Sequence, residues 1–476
     1  MKPQALQALE ALLPAGRAIT DEGALAEYAS DMTENPSATP AAAARPETAE
    51  QIPDILRWAG EHGVAVTPCV AATNVGGLAI PSPGGLVLDL RDLNRILAVD
   101  PDAMYALVEP GVTFGQLRER LDAEHPELEY GYPLAPPYAS VAANCLLDGL
   151  SNLSLRHGAM GEWVNGIEAV LPDGQVVRTG SAAISPVWFG RAPLPDLTGL
   201  FLSWQGTTGV VTRMAVQLWP SPPHRRRFFL LFADAETVFP FARGLARTGL
   251  FDDLAALSWP MGRMIHGVYQ ALERTPGEPE YLLYGDYSGL TPRLMSAKEE
   301  VLQDALADAR RTGAAVDGPV DVSALVRINP GLGRFGQFPM TLDFLLDHPG
   351  GGLTWVGTYG PTSGWLEGAR QGAAILEAHG FPPGVLTRAM KEGHFGILRF
   401  PILFNRSDPA EVARVRAANE ALLDLALDLG FVMYKAPAWA VGKLRARMHP
   451  GFRALQERIK ALLDPSGIMN PGKWGL

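Results

Sequence analysis

Apolar and polar positions follow two different periods along this chain, and these periods predict most of its helices and strands. In the first half, repeats of three to four residues predict helices at 4–13, 21–29, 46–63 and 114–124. Short apolar runs predict strands at 64–67, 85–90, 96–100, 105–109 and 214–220. Residues 166–180 are predicted to form a hairpin, because an Asp-Gly pair separates two apolar runs.

The second half shows a regular alternation of strands and helices. Predicted strands lie at 227–232, 280–285, 353–359 and 396–404, and predicted helices lie at 235–248, 292–312, 364–379 and 409–429. Helices that cross one face between strands favour a mainly antiparallel sheet with the helices packed against it. The chain as a whole is therefore predicted to be an α+β protein.

A loop rich in small residues interrupts the first half at residues 68–81. Its pair Gly76-Gly77 and its alanines allow successive backbone N–H groups to turn toward one point, which suits a pyrophosphate. An ordinary turn between strands is the alternative, since glycine-rich loops are common. The sequence has no G-x-G-x-x-G motif here, and prolines and glycines at 81–85 prevent a helix from starting. A dinucleotide at this loop would therefore not be bound in the Rossmann manner.

Composition narrows the class of protein. The chain has 476 residues, enough for two or three domains, and its 47% hydrophobic and 19% charged residues are typical of soluble globular enzymes. Its net charge of −11 argues against binding nucleic acid or an anionic membrane. Cys69 and Cys145 are too few for a disulfide framework or a cysteine metal site. No signal-peptide pattern or membrane-length apolar run occurs, so we predict a cytoplasmic protein without a membrane span.

Five short motifs, in one order along the chain, carry a resemblance to a known family. They are the small-residue loop at 72–81, Val-Glu-Pro-Gly-Val-Thr at 108–113, Ser-Val-Ala-Ala-Asn at 140–144, the hairpin that ends at 178–180, and Gly-Val-Val-Thr at 209–212. Through them the chain resembles the FAD-linked oxidases of the vanillyl-alcohol oxidase and para-cresol methylhydroxylase superfamily. It also has some similarity to the glycolate oxidase and D-lactate dehydrogenase branch.

The resemblance implies two domains, one of them discontinuous. Residues 1–221 and 431–476 are expected to form a two-subdomain FAD-binding domain of the para-cresol methylhydroxylase type. Residues 222–430 are expected to form an α+β cap domain, with a mainly antiparallel sheet, that supplies most substrate contacts. The residues expected to bind FAD are Ala72, Thr73, Asn74, Val75, Gly76, Gly77, Pro110, Gly111, Val112, Ser140, Ala143, Asn144, His157, Gly158, Gly209, Val210, Val211 and Lys473.

FAD is expected to be held without a covalent bond. In part of the family a histidine on the strand that matches residues 350–359 carries the link, and Leu353 stands at that place here. The loop at 72–81 also lacks the histidine that anchors FAD in other relatives. Both departures predict a dissociable cofactor.

The pair Tyr434-Lys435 is the strongest candidate for binding a substrate anion. In the phenol-oxidising branch of the family a Tyr-Arg pair at the matching place binds the phenolate. Here Lys435 stands in place of the arginine, so an ammonium point charge replaces the planar guanidinium group. A tyrosine that shares the phenolate in that branch is also missing, since the loop has Val75-Gly76-Gly77 there. A buried tyrosine and a surface lysine at a domain junction are the alternative interpretation.

Further candidates lie in the expected cap domain. Trp355 and Tyr359 share one face of a predicted strand, where they either line the substrate pocket or pack in the core. His394 is a candidate base, with a structural histidine as the alternative, because relatives that oxidise 2-hydroxy acids carry histidines on a comparable strand. Arg327 and Arg399 either neutralise a substrate carboxylate or pair with acids of the cap. No metal site is expected, because the second histidine of those relatives is missing.

Three functions are compatible with these residues. The first is an FAD-dependent oxidoreductase that oxidises a small aromatic alcohol or para-substituted phenol by hydride transfer to flavin N5, with Tyr434 and Lys435 on the substrate anion. The second is a 2-hydroxy-acid dehydrogenase of the glycolate oxidase type, with His394 as base and Lys435, Arg327 or Arg399 on the carboxylate. The third is a flavin-binding protein without turnover. Oxygen, a cytochrome or a soluble carrier are compatible electron acceptors, and the resemblance implies a homodimer.

Overall fold

The computed structural model describes residues 1–330, 333 and 348–476. The strands of its first half are β1 (Ala18–Ile19), β2 (Ala42–Ala44), β3 (Val66–Cys69), β4 (Leu86–Asp89), β5 (Ile96–Asp100), β6 (Tyr105–Val108), β7 (Leu128–Glu129), β8 (Val164–Val170), β9 (Val176–Arg178), β10 (Val210–Gln217) and β11 (Trp219–Pro220). A first sheet has the order β1-β2-β4-β3, with β2, β4 and β3 parallel. A second, antiparallel sheet has the order β5-β6-β10-β8-β9, and β7 pairs with β11.

Local sequence signals account for the helices of this half. The helices are α1 (Pro3–Ala11), α2 (Glu22–Ala26), α3 (Ile52–His62), α4 (Phe114–Glu124), α5 (Val141–Leu146) and α6 (Ser154–His157). Helix α4 has the predicted bounds, because Thr113 and Gln116 form a capping box at its start. Helix α3 begins later than predicted, after a 3-10 turn over Ala49–Gln51. It ends at His62, and the next residue, Gly63, caps it with a φ of 62° that suits glycine.

The strands of the second half mostly belong to one large sheet. They are β12 (His224–Phe232), β13 (Asp253–Ser258), β14 (Tyr281–Gly289), β15 (Val316–Asp321), β16 (Gly351–Thr354), β17 (Gly357–Gly360), β18 (Leu386–Met390), β19 (Phe395–Arg399), β20 (Ile402–Asn405) and β21 (Val432–Met433). The large sheet has the order β15-β12-β14-β13-β18-β19-β17-β21, and all its strand pairs are antiparallel. The prediction of an α+β fold with a mainly antiparallel second sheet is therefore confirmed.

Two predicted strands are each split in the structure. The expected strand at 353–359 becomes β16 and β17, and the expected strand at 396–404 becomes β19 and β20. Strands β16 and β20 pair with each other outside the large sheet. Pro401, which has no N–H to donate, stands between β19 and β20, so the strand cannot continue as one. Strands β13, β15 and β18 are additions that the periodicity did not predict.

Helices cover one face of the large sheet. The described helices of this half are α7 (Ala235–Ala246), α8 (Trp259–Ile265), α9 (Pro292–Arg311), α10 (Val322–Ile328), α11 (Trp365–Ala378), α12 (Pro409–Asp428), α13 (Val441–Arg447) and α14 (Pro450–Leu463). On β13, Leu254 and Ala256 pack in the core with α7, α9, α11 and α12, whereas Ala255 and Leu257 pack with residues of the first half. No helix in the described part of the chain combines the length and apolar character needed to cross a bilayer.

The C-terminal segment packs on the first half of the chain. Val66 N donates to Ile468 O at 2.7 Å, and Asn470 N donates to Val66 O at 2.8 Å. Lys460 Nζ donates to Thr207 O at 2.8 Å. These contacts suit the expected discontinuous domain, although β21 still pairs with β17 of the large sheet and so places Val432 and Met433 with the second half. The division at residues 221 and 431 stays a prediction.

Candidate active site

A cavity of about 260 Å³ lies between the loops of the first half and the face of the large sheet that carries Ala255 and Leu257. The first half contributes the loop at 68–75, residues 205–211 apart from Thr207, and parts of the segment 133–150. The sheet contributes alternate residues of β13, β18 and β19, because side chains two positions apart on a strand face the same way. Most of the residues that line the cavity are apolar, so its few polar groups are the candidates for specific contacts with a cofactor or substrate.

Residues 72–75 of the small-residue loop line this cavity. None of their backbone N–H groups donates a hydrogen bond to any residue that the structure describes. Ala72 has a φ of 52°, a left-handed conformation that turns the chain at the start of the loop. Asn74 Oδ1 accepts a hydrogen bond of 3.2 Å from Leu78 N, which holds the loop closed. Successive unpaired amides form the kind of concavity that binds phosphate oxygens.

The side chain of Gln205 is a second feature that suits a bound cofactor. It is buried, it lines the cavity, and neither its Oε1 nor its Nε2 has a hydrogen-bond partner within the described ranges. Leaving a buried polar group unpaired costs on the order of 1–3 kcal/mol, so this amide is suited to polar atoms of a ligand. Asn470 Nδ2 donates to Gln205 O at 2.6 Å and so fixes the backbone at this point.

Three polar side chains meet at the opposite wall. Arg399, the last residue of β19, donates from Nη2 to the hydroxyl oxygen of Tyr434 at 2.7 Å. The Arg399 guanidinium also lies over the ring of Trp355, 4.7 Å from its centroid. Lys435 Nζ lies 5.3 Å from the centroid of the Tyr434 ring. Arg399, Tyr434 and Lys435 all line the cavity.

The Tyr434 ring packs closely on two neighbours. It stacks on the ring of Tyr359, with centroids 4.5 Å apart and planes 5° apart. Gly357 also lies close, since a Cβ atom there would come to 3.0 Å from Cε1 of Tyr434. The Tyr359 hydroxyl donates to Asp148 O at 2.6 Å, and this hydrogen bond fixes the Tyr359 ring on which Tyr434 stacks. The Tyr434 hydroxyl is therefore presented in one orientation.

Electrostatics at this wall favour a bound anion. Burial opposes ionisation of Tyr434, but the charges of Arg399 and Lys435 outweigh it and hold the pKa of Tyr434 below its ordinary value. Burial lowers the pKa of Lys435, and the nearby Arg399 charge lowers it further, although Tyr434 opposes this. No carboxylate of the described residues pairs with Lys435. The wall thus holds more positive than negative charge.

Comparison with known proteins shows matches to two domain families. The family described as FAD binding domain matches residues 40–180, and the family described as FAD linked oxidases, C-terminal domain, matches residues 358–474. The chain belongs to the FAD-linked oxidases. It is accordingly an FAD-dependent oxidoreductase, and not a flavin-binding protein without turnover. The unpaired loop amides and Gln205 fit FAD, which they would contact through its diphosphate and other polar groups.

Relatives of this FAD-linked oxidase include proteins with different substrates. The flavoprotein subunit of 4-cresol dehydrogenase [hydroxylating] from Pseudomonas putida is 25% identical, over 99% of this chain and 95% of the relative. A glycolate oxidase subunit from Bacillus subtilis is 32% identical, over 44% of each chain. The crystal structure of p-cresol methylhydroxylase with substrate bound has a TM-score of 0.88 at 23% identity, over 99% of this chain and 96% of that one. This last likeness shows the fold.

The structure separates the expected FAD contacts of this oxidase into two groups. Those that line the cavity are Ala72, Thr73, Asn74, Val75, Pro110, Ser140, Ala143, Asn144, Gly209, Val210 and Val211. Those that do not are Gly76, Gly77, Gly111, Val112, His157, Gly158 and Lys473. Gly76 lines a much smaller cavity beside Lys435 instead.

Several members of the second group have structural roles behind the lining. Lys473 Nζ donates to Gly77 O at 3.2 Å and supports the loop from below. Gly111 packs so closely on the backbone that a Cβ atom would lie 2.5 Å from Arg91 O. The ring of His157 stacks on that of Trp219, with centroids 3.5 Å apart, and burial lowers the pKa of His157 to about 4. A neutral histidine packed in this way does not reach the cavity.

The candidate substrate-binding residues also fall into those that line the cavity and those that do not. Trp355 and Arg399 line the cavity, whereas Tyr359 lies behind Tyr434 and positions it. His394 is exposed on the turn between β18 and β19, and Arg327 is exposed on α10, so neither reaches the cavity. The expected roles of His394 as a base and of Arg327 on a carboxylate therefore have no support in the geometry.

The sequence analysis missed several polar residues that line the cavity, namely Gln205, Thr208, Asp253, Tyr284, Arg388 and Asn470. Asp253 and Arg388 lie on β13 and β18, strands that were not predicted, and Gln205 lies in an irregular segment. A period-two pattern at Asp253, Ala255 and Leu257 was the available signal, but six residues are too few to distinguish a strand from a loop. The cytoplasmic location, the homodimer and the choice among electron acceptors stay predictions.

Proposed function

We propose that this FAD-linked oxidase removes a hydride from the side chain of a para-substituted phenol or related aromatic alcohol. The observation that carries the proposal is the meeting of Tyr434, Arg399 and Lys435 at one wall of an otherwise mostly apolar cavity. Apolar walls accept an aromatic ring, and a small number of convergent polar groups fix its orientation. The phenol oxygen would lie at these three residues.

Charge is the physical reason why this wall suits a phenol oxygen. The phenolate form is stabilised by preorganised positive groups in a site from which water is excluded. Ionisation also moves electron density to the para carbon, which makes a hydride on the attached carbon easier to remove. FAD, when bound, supplies the hydride acceptor, while Tyr434, Arg399 and Lys435 bind and orient the substrate anion.

The comparisons support a phenol more than a hydroxy acid. The 4-cresol dehydrogenase subunit aligns over nearly the whole of both chains. The glycolate oxidase subunit aligns over 44% of each chain. The more extensive alignment therefore favours the phenol.

A 2-hydroxy acid is the second candidate substrate. Arg399 and Lys435 are cations in the cavity, and a carboxylate would pair with either. The candidate base for this reaction, His394, is exposed outside the cavity, which weakens the hypothesis. The 2-hydroxy-acid reaction would need another proton acceptor.

Anaerobic flavin reduction by a substrate panel tests the proposed function. We expect para-alkylphenols and hydroxybenzyl alcohols to bleach the flavin absorbance, while lactate-like and hydroxyglutarate-like acids leave it oxidised. Stopped-flow absorbance gives the limiting rate and the apparent Kd for each compound. If only the acids reduce the flavin, a 2-hydroxy acid replaces the phenol as the proposed substrate. If no phenol reduces the flavin, the proposal is refuted.

Lys435 is expected to strengthen binding of the phenol oxygen through its charge. Lys435→Gln should raise the apparent Kd for a para-alkylphenol about tenfold or more, because a charge-assisted hydrogen bond is lost. Lys435→Arg keeps the charge and should stay within about fivefold of the wild type. Both values come from anaerobic titration of flavin reduction.

Lys443→Gln is the matched control for this pair of variants. Lys443 carries the same charge but pairs with Asp424 outside the cavity, at 2.7 Å. Its replacement should not change the Kd. If Lys435→Gln binds the phenol as tightly as Lys443→Gln, the lysine does not hold the substrate anion.

FAD is expected to dissociate from this protein on denaturation. Among the described residues, no histidine lines the cavity, and Leu353 is fully buried on β16 away from it. Cys69 does line the cavity, but burial raises the pKa of its thiol to about 12, so it carries little thiolate. Acid precipitation should leave all yellow absorbance in the supernatant. A yellow pellet would show a covalent bond.

A further inference from the structure

We propose that Asp253 and Arg388 form a second polar subsite, which binds a hydroxyl group on the side chain para to the phenol oxygen. This inference rests on the proposed function and specifies its substrate class. Both residues belong to strands of the large sheet, and both line the cavity at a distance from Tyr434 along that wall. The preferred substrate would then be a 4-hydroxyphenyl alkanol rather than a plain alkylphenol.

The ion pair leaves hydrogen-bonding groups available. Arg388 Nε donates to Asp253 Oδ1 at 2.6 Å, and Arg388 Nη2 donates to Asp253 Oδ2. The two N–H groups on Nη1 make no hydrogen bond to the residues that the structure describes. A carboxylate accepts up to about four hydrogen bonds, so Asp253 also keeps spare capacity. One donor group and one acceptor group thus stand side by side.

The sheet register places this pair on the same face as the phenol-binding wall. Arg388 pairs with Ile397, and Arg399 lies two positions beyond Ile397 on β19, so both arginine side chains point to the cavity. Strand β13, which carries Asp253, is two strand spacings from β19, which carries Arg399. Two spacings separate the main chains by about 10 Å. Such a span leaves room for one aromatic ring and a short side chain.

The surroundings of the pair on its own two strands are apolar. Ala255, Leu257 and Leu386 line the cavity on these strands and offer no hydrogen bonds from their side chains, whereas Tyr284, which pairs with Ala255 from β14, also lines the cavity. The side chains of Asp253 and Arg388 are 1% and 12% exposed. A substrate that fills this space removes water from the pair, and any polar group left unpaired then weakens binding.

A hydroxyl group matches both partners, and other substituents match only one or neither. A hydroxyl accepts a hydrogen bond from Arg388 Nη1 and donates one to Asp253. A substrate carboxylate accepts a hydrogen bond from Arg388 but is repelled by the Asp253 charge. An alkyl group displaces water from both residues without forming a hydrogen bond to either. The pair is therefore expected to select an uncharged alcohol over an acid or an alkane of similar length.

Three substrates of matched length test this order on the holoenzyme. They are 3-(4-hydroxyphenyl)propan-1-ol, 4-butylphenol and 3-(4-hydroxyphenyl)propanoate, each mixed anaerobically in a stopped-flow instrument. The ratio of the limiting rate of flavin reduction to the apparent Kd should be about tenfold or more higher for the alcohol than for either alternative. Equal or higher ratios for 4-butylphenol would overturn the subsite.

Asp253→Asn tests the same subsite from the side of the protein. Removing the carboxylate leaves Arg388 as an uncompensated cation, so the alcohol-to-acid preference should fall about tenfold or reverse. Asp252→Asn is the matched control, because Asp252 is an equally buried neighbouring carboxylate that pairs with Arg156 and does not line the cavity. It should leave the preference at the wild-type value.

A second variant keeps the test decisive if Asp253→Asn fails to fold. Arg388→Lys retains the positive charge but loses the planar fork, so it should reduce the alcohol-to-butylphenol preference about tenfold. Preferences that stay within about twofold of the wild type in the folded variants would refute the subsite, while reduction by alkylphenols would still support the proposed function. Failure of all three phenols to reduce the flavin would instead refute the proposed function.

Discussion

Replacing Tyr434 by phenylalanine is expected to slow flavin reduction by a para-substituted phenol about a hundredfold or more. The Tyr434 hydroxyl stands at the proposed position of the phenol oxygen, and it accepts a hydrogen bond of 2.7 Å from Arg399 Nη2. Its removal deletes a donor to the substrate anion and leaves the Arg399 group without its partner in a buried site. Anaerobic stopped-flow absorbance measures the limiting rate directly.

Tyr281→Phe is the matched control for this change. Tyr281 lies on β14 and is buried in the core on the opposite face of the large sheet, away from the cavity. Both variants lose one buried hydroxyl, so a difference between them isolates the position of the group. A rate for Tyr434→Phe within about threefold of the Tyr281→Phe rate would contradict the assignment of Tyr434 to substrate binding.

Replacing Arg399 by methionine is expected to reduce the rate of flavin reduction by a comparable factor, about a hundredfold, and to shift its pH dependence. Methionine fills part of the same volume but carries no charge. The change removes the hydrogen bond to Tyr434 and the cation that lies over Trp355. It also removes a charge that holds down the pKa of Tyr434 and that of Lys435.

The direction of the pH shift follows from these two groups. In the wild type, substrate binding should weaken as pH rises, because ionised Tyr434 donates no hydrogen bond and neutral Lys435 offers no charge. Removing Arg399 lets burial dominate at Tyr434 and relieves repulsion at Lys435, so the pKa of each group rises. The high-pH limb of the kcat/KM profile should therefore move to higher pH in Arg399→Met.

Arg263→Met is the matched control for Arg399→Met. Arg263 also belongs to the second half and also lies over a tryptophan ring, 5.1 Å from the centroid of Trp259, but it pairs with Glu278 outside the cavity. It should change neither the rate nor the pH profile. An unshifted or downward-shifted limb in Arg399→Met would show that Arg399 does not tune Tyr434 and Lys435.

Elements with strong local signals were predictable from the sequence. Helix α4 follows from the capping box at Thr113 and Gln116, and the hairpin of β8 and β9 follows from its Asp-Gly turn. In each case the determining interactions lie within a few residues of one another. The order of the five family motifs extended this local information to the whole FAD-binding half.

The choice between His394 and Arg399 shows where local information ends. Both lie near one predicted strand, and the sequence alone gave no reason to separate them. Strand β19 begins at Phe395, after a turn in which Lys391, Glu392 and Gly393 have positive φ, so His394 falls outside the sheet. Arg399 falls in phase with Ile397 and faces the cavity. A shift of one residue would have reversed the facing of the strand.

The sequence by itself determined the α+β class and the FAD-binding motifs, and it singled out Tyr434 and Lys435 as candidates for the cavity wall. Only the tertiary structure decided that Arg399 joins them and that Asp253 and Arg388 stand on the same wall. The physical reason is that these residues come from strands far apart in the chain, and pairing in the large sheet aligns their faces. Short strands have weak intrinsic preference, so the sheet that surrounds them fixes both their existence and their register.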